Sequence, residues 1–231
     1  MKARQKTILN LIIKEYIKTA EPVGSAWIGK KSGLKLSPAT IRNEMTELEQ
    51  DGYLRQPHTS AGRVPTEKGF RFFIDNLKEK DTSKSKLKPL EVALRQNEDG
   101  REVAVKNLAK MLAELAAEAV FVAFPPQNTY YTGLTNLFSQ PEFASQKLLS
   151  NLTEAFDTMD EKMEQVFEDM GEEVQIMIGE DNPFASDCGA IFVKYHGPKS
   201  SEGVIGILGP MRMDYEHNIS LIKHIKKLLT E

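Results

Sequence analysis

Leu36 to Thr66 reads L-S-P-A-T-I-R-N-E-M-T-E-L-E-Q-D-G-Y-L-R-Q-P-H-T-S-A-G-R-V-P-T. The stretch predicts an amphipathic helix with clear ends, one short strand, and a small polar loop bounded by Gly and Pro and carrying an Arg. Ser37 suits the N-cap, where its hydroxyl accepts from an unpaired N–H of the first turn. Pro38 then falls at the first helical position, where a missing N–H costs nothing. Gly52 can take the left-handed conformation that closes a helix. Between these ends Ile41, Met45 and Leu48 recur at helical spacing and define a buried face. Thr40, Arg42, Asn43, Thr46 and Glu47 are left facing outward.

The first turns of that outward surface carry side chains that can read base edges. Arg pairs bidentately with guanine, Asn with adenine, and Thr touches the thymine methyl. A helix-turn-helix reader presents the N-terminal part of its second helix to the major groove. Ser37, Thr40, Arg42 and Asn43 are therefore the candidate groove contacts. Taken alone, the same helix also reads as an ordinary capped surface helix.

The flanking sequence favours the first reading. Lys6 to Lys18 holds Ile8, Leu9, Leu11, Ile12, Ile13 and Tyr16, a dense apolar stripe that calls for burial on a helix. Pro22-Val23-Gly24 breaks it, Ser25 can cap a short second helix over Ala26 to Ser32, and Gly33 turns the chain ahead of Ser37. Three helices with a tight turn between the second and third make the helix-turn-helix order. Downstream, Tyr53-Leu54-Arg55 is strand-like, Gln56 to Gly62 is a turn-rich loop, and Arg63-Val64 can return as the partner strand. On such a wing His58, Thr59, Ser60 and Arg63 could meet phosphates or enter the minor groove; a solvated hairpin tip is the plainer reading of His58 and Arg63. Thr66 is placed to cap a further helix, Glu67 to Leu77, with Phe70, Phe73, Ile74 and Leu77 packing back on the module.

Charge splits the 231-residue chain in two. Residues 1–90 hold 18 Lys+Arg against 10 Asp+Glu, a net +8, and the remainder holds 12 against 23, a net −11, which together give the overall −3. The basic half suits a polyanion and the acidic half would be repelled by one. Cys188 is the single cysteine, so no intrachain disulfide framework exists, and it reads as a small core residue in an apolar strand. No segment resembles a signal peptide or approaches the roughly 18 apolar residues of a membrane span. A soluble, cytoplasmic protein is expected.

Lys78 to Lys88 is polar and basic without apolar period, and Pro89 follows, as in a linker. Beyond it Leu108, Met111, Leu112, Leu115 and Ala119 share one helical face. Leu148, Leu149, Leu152, Phe156, Met159, Met163 and Phe167 mark one or two more helices. Val174 to Ile178, Ala190 to Tyr195 and Val204 to Leu208 read as strands, and Tyr215 to Leu229 as a closing helix. The predicted organisation is α+β, with an N-terminal module over 1–78, a linker over 79–102 and a compact α+β domain over 103–231. Asp160, Glu161, Glu164, Glu168 and Asp169 have the spacing of a helix's wet face rather than of converging catalytic groups. His196, His217 and His224 do not make a metal-ligand spacing with Cys188, and Gly206 to Pro210 lacks a phosphate-cradling pattern. No catalytic residue, cofactor or metal is assigned.

T-A-E-P-V-G-S at 19–25, L-S-P-A-T-I-R-N at 36–43, G-Y-L at 52–54 and Q-P-H-T-S-A-G-R-V-P-T at 56–66 closely resemble the HrcA family of heat-inducible transcription repressors. So do G-L-T-N-L at 133–137, P-E-F at 141–143 and G-P-M-R-M-D-Y at 209–215. The resemblance implies a winged helix-turn-helix followed by a GAF-like domain, and a dimer that binds the inverted-repeat CIRCE operator of chaperone operons in double-stranded DNA. It also implies the chaperonin GroEL as modulator. By position, Ser37, Thr40, Arg42 and Asn43 fall on the family's reading helix and His58, Thr59, Ser60 and Arg63 on its wing. One departure is clear. Ala119-Val120-Phe121-Val122 runs almost directly through Pro125-Pro126 to Tyr131, which leaves no room for the family's inserted dimerising segment. Two-fold symmetry would then have to come from apolar faces around Leu108–Leu115 or Leu148–Met163. A rival reading makes the GAF-like domain a small-molecule sensor lined by Arg212 and Asp214; the structural alternative for that pair is a fixed turn and a helix cap.

Overall fold

The computed structural model describes residues 1–77, 84–95, 100–124, 128–196 and 202–230. The chain divides into two units, Met1–Leu77 and Lys78–Glu231. In the first, α1 (Ala3–Thr19), α2 (Ser25–Lys31) and α3 (Pro38–Gln50) precede a two-stranded antiparallel sheet, β1 (Leu54–Arg55) and β2 (Val64–Pro65), and then α4 (Glu67–Asp75). Ser37 caps α3 by accepting from the Thr40 N–H at 3.1 Å, and Gly52 stands just beyond the helix at φ 79°. Thr66 caps α4 through the Gly69 N–H at 3.2 Å, and its hydroxyl donates to the Gly52 carbonyl at 2.6 Å. One expected cap differs: Gly24 holds the N-cap of α2 and Ser25 is the first helical residue, itself buried. Ile8, Leu9, Ile12 and Ile13 of α1 close over Ile28, Ile41, Leu48, Leu54, Val64, Phe70 and Phe73 in one core.

The second unit carries α5 (Lys84–Arg95), α6 (Arg101–Ala116), β3 (Ala119–Phe124), β4 (Asn128–Thr132), α7 (Leu134–Phe138), α8 (Gln146–Asp157), α9 (Met159–Asp169), β5 (Gln175–Ile178), β6 (Cys188–His196), β7 (Glu202–Pro210) and α10 (Tyr215–Thr230). The five strands form one antiparallel sheet in the order β4-β3-β7-β6-β5. Strand alternation sorts the side chains to two faces. Phe121, Cys188, Ala190, Phe192, Val204 and Leu208 pack with Leu137, Leu152, Met159 and Met163 of α7, α8 and α9. The intervening residues meet α6 and α10, against which α5 also packs. Mixed helix and sheet is thus observed, as expected. Cys188 is buried at the start of β6, and burial pushes its thiol up to about 12.

Three expectations need correction. The helix thought to continue to Ala119 stops at Ala116; Ala117 takes the left-handed conformation at φ 55°, and Ala119 opens the strand β3, which with β4 had not been singled out. Within the expected linker, residues 84–95 are helical with Pro89 inside. The lost N–H bond is offset by burial of Leu87 and Leu90 as α5 packs on α6 and α10. Of the rest of that linker, Arg101 and Glu102 already belong to α6 with Gly100 at its N-cap, while 79–83 and 96–99, like Pro125-Pro126, lie outside the described residues. Finally, the faces expected to supply two-fold symmetry are largely used within this unit: Leu108, Leu112, Leu152, Met159 and Met163 are buried in it, while Leu149 of α8 keeps 40% exposure.

Candidate nucleic-acid interface

The side chains expected at the groove lie on the open side of α3. Ser37 and Thr40 share a hydrogen bond between their hydroxyls at 2.9 Å, which orients both at the first turn. Arg42 and Asn43 are exposed, and among the described residues neither side chain has an intramolecular hydrogen bond or ion pair. Ile41, Met45 and Leu48 point the opposite way, into the core. Across from Arg42 stands the loop 56–62. Between them runs an open cleft of about 500 Å³ lined by Gly24, Ser25, Arg42, Met45, Thr59 and Arg63 among others.

The loop is built from its own polar groups. The Gln56 side-chain amide donates to the carbonyls of Thr59 (2.9 Å) and Ala61 (3.0 Å), which ties the loop across its width. His58, Thr59 and Ser60 are exposed at its tip, with the Ser60 hydroxyl 3.3 Å from His58 Nδ1. Arg63 stands apart from these three. Its side chain is only 14% exposed, and the guanidinium is held by Glu49 of α3 at 2.9 Å through both Nε and Nη2. The other Glu49 oxygen accepts the Gln56 N–H at 3.0 Å. Val23, ahead of α2, exchanges both backbone hydrogen bonds with Arg63 at 2.9 Å. Ser37, Arg42, Asn43, His58, Thr59 and Ser60 are thus exposed and Thr40 half-buried; of these Arg42, Thr59 and Ser60 line the cleft together with Arg63, whose charge is taken up by Glu49. Glu49 was missed by the sequence reading, because no local pattern marks a side chain whose partners lie seven and fourteen residues away; the Gln56 amide was missed although its partners are three and five residues ahead.

Gly62 explains how closely the loop root can approach. A Cβ there would stand 2.4 Å from the Val23 carbonyl oxygen, so backbone meets backbone. Gly62→Ala is expected to destabilise the first unit by about 1–3 kcal/mol through overpacking. Urea unfolding followed by fluorescence of Trp27, the single tryptophan, measures it; an unchanged midpoint would show that the two segments separate freely.

In the second unit the pair considered for ligand sensing has structural partners. Arg212 is ion-paired with Glu142 and donates to Gln140 Oε1 at 2.8 Å. Asp214 accepts the His217 N–H at 3.1 Å and so caps α10. The Asn136 amide donates to the Ala113 and Glu118 carbonyls at 3.1 and 3.4 Å. His196 lies between Glu172 at 2.9 Å and Glu202 at 3.6 Å, and the His217 ring meets the Leu115 carbonyl at 3.1 Å. Among the described residues no group of His, Cys, Asp and Glu could hold a metal ion, and no helix is long and apolar enough to cross a membrane.

The order of these parts, a three-helix module with a polar loop and then an antiparallel sheet covered by helices, recurs in known proteins. Residues 66–219 match the family model described as the HrcA protein C-terminal domain. The heat-inducible transcription repressor HrcA of Carboxydothermus hydrogenoformans is 29% identical over 333 aligned positions, taking in 99% of this chain and 97% of that protein. The HrcA of Halalkalibacterium halodurans is 28% identical over 331, with 99% and 96% covered. A hypothetical protein solved at 2.2 Å superposes with a TM-score of 0.77 at 20% identity, over 100% of this chain and 98% of that one, and shares the fold. The chain belongs to the HrcA family, a family of transcription repressors. It is a shortened member: 333 aligned positions against 231 residues leave at least 102 positions with no residue of this chain.

Proposed function

We propose that Met1–Leu77 is a winged helix-turn-helix DNA-binding domain in which α3 reads the major groove and the loop 56–62 is the wing. The protein then works in the cytoplasm as a repressor of heat-shock chaperone operons. It binds a CIRCE-type inverted repeat as a homodimer and releases it on heat shock, with the chaperonin GroEL as modulator. The sheet-and-helix unit, 103–231 in the boundaries expected above, is proposed as a GAF-like regulatory and dimerisation domain without catalytic role. The observation that carries the reading is the pair Arg42 and Asn43, exposed and unengaged on the first turns of α3, with Arg42 facing Thr59 and Ser60 of the loop across one cleft. Those residue types at the start of a second helix are what base-edge recognition requires. Arg63 is proposed to act by holding the wing rather than by touching DNA.

Two measurements test it. A gel shift with an inverted-repeat duplex should show affinity falling about a thousandfold between 50 and 200 mM salt if six phosphates are neutralised; an affinity indifferent to salt contradicts the proposal. Arg42→Ala should cost about 1–3 kcal/mol on the operator and much less on random duplex. An equal loss on both would make Arg42 a phosphate contact.

A further inference from the structure

We propose that Glu49 is the positioning residue that sets the wing against the reading helix, and that sequence discrimination depends on it; the proposal rests on the reading of α3 and the loop 56–62 as one DNA-contacting surface. Arg42 and Glu49 are seven residues apart on α3, close to two turns, so they share one stripe of the helix. Its carboxylate is shared between two points of the loop. One oxygen accepts the Gln56 N–H at 3.0 Å where the loop leaves β1, and the other accepts from Arg63 at 2.9 Å where it returns to β2. One side chain of α3 therefore grips both ends of the loop. The Gln56 amide ties the middle through the Thr59 and Ala61 carbonyls, so the position set at the root reaches the tip at His58 and Ser60.

The charge arithmetic supports a positioning role over a contact role. A carboxylate on a DNA-facing surface is repelled by phosphate, but here Arg63 neutralises it and is itself withdrawn from solvent. Removing Glu49 therefore has two opposite effects. The wing loses its fixed distance from α3, which weakens recognition that needs both to engage together. Arg63 is also released, which adds a cation for sequence-independent attraction.

The test uses the full chain, titrated against a duplex carrying the CIRCE inverted repeat and against a scrambled duplex of equal length. In Glu49→Ala, operator affinity is expected to fall by about tenfold, the scale of one charge-assisted hydrogen bond, while scrambled-duplex affinity stays level or rises. Glu49→Gln keeps an acceptor for the Gln56 N–H and loses the ion pair, so it should lose less. Amide exchange at Gln56 and Arg63 should quicken in both variants, least at Gln56 in Glu49→Gln, with the Trp27 unfolding transition retained. If Glu49→Ala fails to fold, the Gln variant alone decides. A wild-type operator-to-scrambled ratio in the folded variants overturns the proposal, as does unchanged exchange at those two amides. A wild-type protein that does not prefer the inverted repeat defeats the underlying DNA reading instead, and that outcome is visible in the wild-type titration before any variant is compared.

Discussion

Glu118→Gln is expected to remove most of the pH dependence of the second unit's stability and to make that unit more stable than wild type above pH 8. Glu118 stands between the left-handed Ala117 and the start of β3, 5% exposed, and its Oε2 has no hydrogen-bond partner. Burial pushes its carboxyl up to about 8, with the Arg212 guanidinium pulling it down and the Glu142 carboxylate pushing it further up. The pairing of Arg212 with Glu142 agrees with this direction, because most of that guanidinium's charge is already met by another carboxylate. In the unfolded chain the same group titrates near 4.5. Between those two values the folded unit keeps a proton that the unfolded chain has released. Stability is therefore fully present below about 4.5, declines as pH rises through the window, and levels off above about 8. The decline across that window is on the order of 5 kcal/mol, the linkage of one proton over about three to four pH units. Gln keeps the shape and cannot ionise. Urea unfolding by circular dichroism at pH 5, 7 and 9 measures the effect, with Trp27 fluorescence reporting the first unit separately. Parallel loss of stability in wild type and variant would show that Glu118 is not the group that titrates.

Phe121→Ala should cost the second unit about 3–5 kcal/mol, the range for a large aromatic removed from a core. Phe121 is fully buried in β3 and stacks on Phe184 with centroids 5.8 Å apart and planes 3° from parallel. Tilted contacts with Phe156 at 5.9 Å and Tyr131 at 6.4 Å complete the cluster. The space left behind has little freedom to close, since β3 is paired with β4 on one side and β7 on the other. The same urea experiment measures the loss, and the Trp27 transition should stay in place. A cost below about 1 kcal/mol would mean that the three remaining rings repack around the gap.

What the sequence disclosed follows from the range of the interactions involved. The ends of α3 were legible because Ser37, Pro38 and Gly52 each act on backbone within a few residues. The core face of Ile41, Met45 and Leu48 followed from periodicity alone. Ala119 to Phe124 was harder: A-V-F-V-A-F is a continuous apolar run, buried on both sides of a sheet, and such runs do not distinguish strand from helix. No Gly or Pro announced the end of α6, since Ala117 turns the chain instead. Pro89 and its neighbouring lysines pointed to a linker, and only packing on α6 and α10 made that stretch helical. At the candidate site, exposed residues were assigned correctly to the surface, whereas Arg63 was read as open to solvent and is instead paired with Glu49. A basic residue in a loop looks the same in sequence whether its charge is used outward or inward.

Gln56 has one more consequence, for how the chain can change over time. Surface loops ordinarily accept extra residues at little cost, because closing a longer loop adds only a small entropy term. Here a single amide must reach two carbonyls, three and five residues ahead. One residue inserted or deleted between them would move at least one carbonyl out of reach. The loop at 56–62 therefore has its length fixed by the chemistry of its first residue. Substitution at its tip is cheap, but a change in residue count is not.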